Sequence, residues 1–119
     1  MTWLYVAGSG ALGALTRYGI TVAVGPRSFP LATLAINVAG SFLLGLVLTA
    51  GSLGRLSPQA TTAVAVGFLG AFATYSTFSW ELFTLGRTGQ LVAAAAYLGA
   101  SVVLGVLAAA VGYRLGKGL

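Results

Sequence analysis

Residues 31–50 run for twenty positions without a charged side chain. A helix of that length covers about 30 Å, the thickness of a bilayer's hydrocarbon core. Once one segment must lie in lipid, the segments joined to it by short connections are confined there too. The sequence predicts three more spans, over residues 3–24, 58–85 and 90–113. The last is uncharged, the first contains Arg17, and the third contains Glu81 near its end. The chain is 58% hydrophobic and 6% charged, whereas a soluble domain carries about 25% charged residues. One acid and six bases cannot coat a water-facing surface. The expected fold is therefore an all-α membrane protein, with residues 1–119 forming a single domain of four transmembrane helices.

The connections read as short turns. Gly25-Pro26-Arg27-Ser28-Phe29-Pro30 carries two helix-stopping prolines. Gly51 through Ser57 precedes Pro58, which suits a first helical turn. Gly86-Arg87-Thr88-Gly89 is the third connection. The N-terminus lacks the basic start of a cleavable signal, so it is expected to stay as the first helix. Four spans put both termini on one side. Arg55, Arg114 and Lys117 then face Arg17, Arg27 and Arg87 across the membrane. The positive-inside rule works through an imbalance of bases. Three against three leaves orientation open, including insertion in both directions.

Composition excludes most chemistry. With no Cys, no His and one acid, the chain has no nucleophile–base pair, no carboxylate pair and no zinc ligand set. It does not read as an enzyme. The net charge of +5 comes from singly scattered bases. Nucleic acid needs a basic patch, so it is not an expected partner. Gly8-Ser9-Gly10-Ala11-Leu12-Gly13 matches a dinucleotide fingerprint in letters only. It lacks the preceding strand and the following acid. A small-residue face for close helix packing explains it better.

Polar residues at membrane depth mark where function lies. Thr33, Asn37, Ser41 and Gly45 recur every four residues on one face of the second span. Tyr97, Ser101 and Gly105 repeat that step on the fourth. Either set serves as helix–helix glue or as a polar path. The third span concentrates five hydroxyl residues between Thr74 and Ser79, after Gly67 and Gly70. Thr77 is one of them. Such a segment suits a helix interrupted near 70–74, because an irregular backbone is tolerated in a membrane where it lines a cavity or is buried in protein. Carbonyls freed there can bind a cation. Tyr75 and Phe78 share a face, and the positive edges of their rings suit a small anion.

Three motifs in this order resemble the CrcB/Fluc fluoride channel family. They are Gly13-Ala14-Leu15-Thr16-Arg17-Tyr18, Thr33 through Phe42, and Gly67-Phe68-Leu69-Gly70 with Thr74 through Glu81, followed by Tyr97 with Ser101. The resemblance runs over the whole chain. It implies a multi-pass plasma-membrane protein that pairs as an antiparallel, dual-topology dimer and exports fluoride passively. It also implies a structural sodium ion at the dimer centre, held by the backbone carbonyls of Gly70 and Ala73 where the third helix breaks. Asn37 falls on the family's pore amide, Tyr75 and Phe78 on its pore aromatics, and Tyr97 and Ser101 on its polar track. Arg17 and Glu81 fall on charged positions at the pore mouths. Three positions depart from the pattern: Tyr75 stands for Phe, Ala73 for a frequent Thr, and Gly105 for a hydroxyl residue. These departures keep a second reading open, in which the chain is a non-conducting or partly conducting partner subunit of a heterodimer with a homologous chain. A proton-coupled drug exporter would need a carboxylate in its first span, and this span has none.

Overall fold

A computed structural model describes residues 1–118. Every regular element among them is helical. Helix α1 covers Thr2–Val24 and α2 covers Leu31–Ser52. Helix α3, residues 58–72, is composite. It starts as Pro58–Thr62, widens into a π-helical stretch over Ala63–Phe68, and ends as Leu69–Phe72. Helix α4 covers Tyr75–Arg87 and α5 covers Leu91–Gly118.

Local chemistry sets most boundaries. Gly25 ends α1 with φ at 74°, a left-handed conformation that a residue with a Cβ resists. Pro26 follows it directly. Ser57 caps α3 by accepting from the Ala60 N–H at 3.1 Å, with Pro58 in the first turn. Arg55, in the turn between α2 and α3, donates from Nη1 to the Gly116 carbonyl at 2.7 Å. It thereby answers an open carbonyl in the last turn of α5.

Three helical stretches are long and apolar enough to cross a membrane: Leu31–Ser52, Pro58–Arg87 and Leu91–Gly118. Helix α1 has the length, but Ser9, Thr16, Arg17 and its glycines dilute its apolar content. Large hydrophobic side chains point outward along the molecule, with Trp3 at 89% and Val92 at 86% exposure. In water such a surface would aggregate. In lipid it is the natural outside, so the chain is a multi-pass membrane protein.

The interior is small. Ile36, Leu69 and Phe72 form its buried centre, flanked by Ile20, Leu43 and Phe68. Helices approach closely instead of burying bulk. Helix α5 lies along α2, and a Cβ on Gly112 would collide with the Phe42 carbonyl. Helix α1 meets the π stretch at Gly13, where a Cβ would collide with the Phe68 carbonyl. The fingerprint-like glycines thus divide. Gly10 and Gly13 sit at this contact, while Gly8 faces open space.

Candidate ion-conducting site

The site begins with two residues that are not helical. Ala73 (φ −97°, ψ 141°) and Thr74 (φ −140°, ψ 132°) are extended and separate α3 from α4. An extended residue takes backbone groups out of the helical ladder, and in lipid each one needs a new partner. The partners come from other helices. The Thr74 N–H donates to Asn37 Oδ1 of α2 at 3.2 Å. The Gly70 carbonyl, four residues back, thereby loses the donor that a continuous helix would give it. Arg17 of α1 donates from Nε to the Ala71 carbonyl at 3.3 Å.

Beside this interruption lies a cavity of about 390 Å³ lined by Asn37, Ser41, Ala73, Thr74, Tyr75, Phe78, Ser101 and Val102. Five residues singled out from the sequence as pore candidates therefore share one wall: Asn37, Ser41, Tyr75, Phe78 and Ser101. The hydrogen bond to Thr74 engages the amide oxygen of Asn37, which leaves its NH2 group, with two donors, for the cavity side. The Ser101 hydroxyl is buried and has no hydrogen-bond partner among the described residues. An orphaned buried hydroxyl is costly and calls for an explanation. Tyr75, at 81% exposure, forms the outer rim, its ring centroid 6.3 Å from that of Phe78.

Tyr97 and Thr77 stand apart from this wall. Tyr97 is fully buried, and its hydroxyl donates to Glu81 Oε1 at 3.1 Å. Its ring packs against Phe78 at 5.0 Å and Phe29 at 5.7 Å. Its single proton is thus committed to Glu81, and Tyr97 supports Phe78 from behind. Thr77 lines a neighbouring cavity of about 260 Å³, together with Arg17, Thr21, Arg27, Thr33, Thr74 and Glu81. The two charged positions named from the sequence, Arg17 and Glu81, meet there. Arg27 joins them because the loop from Gly25 to Pro30 folds back over α4. The sequence alone marks Arg27 only as a flanking base. Gly70 and Ala73 line a third cavity of about 250 Å³ with Gly40, Ser41, Leu44, Ala65 and Leu69.

Comparison with known proteins decides the family. The family model described as CrcB-like protein, Camphor Resistance (CrcB), matches residues 4–113. The chain belongs to the CrcB family. A relative from Acidobacterium capsulatum, named fluoride-specific ion channel FluC, is 44% identical over 98% of this chain and 97% of its own length. A protein of that name from Thermus thermophilus is 44% identical over 98% of this chain and 94% of its own. One from Moorella thermoacetica, named fluoride-specific ion channel FluC 2, is 40% identical over 95% and 94%. In a CrcB protein so small and apolar, chemistry must come from the few polar groups held at depth. Here most of them gather around residues 73–74.

Proposed function

We propose that this chain is a subunit of a fluoride-selective channel in the plasma membrane, carrying fluoride passively out of the cytoplasm. One observation carries the reading. The cavity beside Ala73–Thr74 joins the free NH2 group of Asn37, the unpartnered hydroxyl of Ser101 and the rings of Tyr75 and Phe78. Fluoride is small and holds its water tightly. Hydrogen-bond donors and positive ring edges in a dry site can replace that shell. The names of the relatives, fluoride-specific ion channel, point the same way. Arg17 and Arg27 in the adjoining cavity would concentrate anions at the entrance.

The rest of the assembly belongs to the same proposal. All four helical stretches span the bilayer, and two chains pair antiparallel. The third span is one helix broken at Ala73–Thr74. A sodium ion is held at the dimer centre by the carbonyls of Gly70 and Ala73. The donor set suits such an ion. Main-chain oxygens are hard ligands, and the diversion of the Thr74 N–H to Asn37 frees the Gly70 carbonyl. The sodium would supply positive charge to tie the crossing backbones.

A heterodimer is the second reading. Tyr75 puts a phenol at the rim of the cavity, and Gly105 leaves only open contact beside Ser41 Oγ, at 3.7 Å from a built Cβ. One relative carries a numbered name, FluC 2, as suits a chain that has a sister in the same organism. Efflux from liposomes containing this chain, with fluoride and chloride compared, tests both readings. Fluoride efflux from this chain alone supports a homodimer. Efflux only after a second homologue is added supports the heterodimer. No halide-selective leak in either case overturns the channel.

A further inference from the structure

We propose that the cavity between the α1–α2 loop and the end of α4 binds the headgroup of a phospholipid carrying both a phosphodiester and a primary ammonium. The cavity is about 250 Å³, and Arg27, Ser28, Trp80, Glu81, Thr84 and Gln90 are among its lining. It shares no lining residue with the cavity beside Ala73–Thr74, but it has Arg27, Pro30 and Glu81 in common with the entrance cavity.

Three observations converge on this site. First, Arg27 and Glu81 both face it yet do not hold each other. Arg27 donates from Nε to the Val24 carbonyl, and Glu81 accepts from Tyr97. Each keeps capacity for a further partner, since a guanidinium has five N–H donors and a carboxylate two oxygens. Second, the Thr84 hydroxyl is buried with no partner among the described residues. A helical threonine ordinarily bonds back to the carbonyl one turn earlier. Thr88 does so, donating to the Thr84 carbonyl at 2.8 Å. Thr84 does not. Third, the site lies toward the loop end of the candidate span Pro58–Arg87, the end that headgroups would meet. It lies where α4 ends and the loops begin, beside Trp80 at 63% and Phe83 at 58% exposure, whose rings are 5.9 Å apart. Exposed aromatic side chains collect at that level of a membrane.

The paired charges select the ligand. A simple anion would satisfy Arg27 but be repelled by Glu81, and a simple cation would meet the reverse. A zwitterion with a phosphate and an ammonium satisfies both. Glu81 further favours a primary ammonium, which can donate hydrogen bonds, over a quaternary one, which cannot. The exposed face of Trp80 offers an apolar surface to the first carbons of the lipid chains. Phosphatidylethanolamine fits, phosphatidylcholine lacks the donor, and phosphatidylglycerol lacks the cation.

Native mass spectrometry of the purified full chain, with the three lipids matched in acyl chains, tests the assignment. Phosphatidylethanolamine should be retained about tenfold more tightly than phosphatidylcholine, a difference well within hydrogen-bonded recognition. Arg27→Gln and Thr84→Val should each weaken that retention, and Glu81→Gln should erase the preference between the two lipids. Arg87→Gln, outside the cavity, should bind like the parent and shows that loss of a base alone is not the cause. Circular dichroism of each variant checks that the helices persist. Free phosphoethanolamine should compete with the lipid. Equal retention of the two lipids overturns the proposal, as does parental binding by Arg27→Gln. Binding of free phosphoethanolamine without lipid retention also overturns it, in favour of a soluble ligand. None of these readouts depends on fluoride transport.

Discussion

The side-chain oxygen of Asn37 accepts the backbone N–H of Thr74 at 3.2 Å, across 37 positions of sequence. This contact orients the amide. Its oxygen faces the interrupted backbone, and its NH2 group is left for the cavity that holds Ser101 and Phe78. One residue therefore both repairs the backbone and furnishes donors.

Asn37→Asp separates those two tasks. A carboxylate still accepts the Thr74 N–H, so the helices should hold, as circular dichroism would show. The donors are lost and a negative charge faces the anion path. Fluoride flux from liposomes should fall by tenfold or more, the equivalent of about 1.4 kcal/mol. Parental flux would remove Asn37 from the pore.

Ser101→Ala should dissociate stability from activity. The Ser101 hydroxyl is buried and unpartnered, and removing such a group relieves a penalty of about 1–3 kcal/mol at most. Thermal unfolding should show a protein as stable as the parent or more so, while fluoride flux declines. A loss of stability would mean that the hydroxyl serves the fold.

Phe78→Ile removes the ring that lies 5.0 Å from Tyr97 and 6.3 Å from Tyr75. An aliphatic chain keeps bulk but has no positive edge. Flux should slow while size-exclusion chromatography shows an unchanged assembly. Equal rates would dismiss the ring-edge account.

Gly112→Ala tests the α2–α5 contact. The added methyl would meet the Phe42 carbonyl, so the helices must part. Overpacking of this kind costs about 1–3 kcal/mol, readable as a lower midpoint in denaturant titration. Gly99→Ala on the same helix has open space around it and should be neutral.

What the sequence made legible follows from how local each cause is. The start of α2 at Leu31 and the end of α1 at Gly25 are written in adjacent glycine and prolines. The hydroxyl-rich run from Thr74 to Ser79 begins beside the extended residues Ala73 and Thr74. The π stretch over Ala63–Phe68 is not legible, because alanines and valines give no local sign of it. Its causes are tertiary. The Ser9 hydroxyl lies 2.7 Å from the Ala63 carbonyl, and Gly67 yields its space to Ser9. The grouping of Arg27 with Glu81 is hidden for a similar reason. It depends on a loop folding back onto a distant helix, and neither residue carries a neighbouring mark of the other. The face of α2 that reads as one polar row also divides in space. Thr33 serves one cavity, Asn37 and Ser41 another, and Gly45 admits α5.

The helpers of the third span, Ser9, Arg17 and Asn37, all precede the groups they serve at Ala63, Ala71 and Thr74. A ribosome releases a chain from its N-terminus, so these side chains enter the bilayer before the carbonyls and the N–H that require them. These three backbone groups are born into a prepared surrounding and do not wait, exposed to oil, for a later helix to supply their partner.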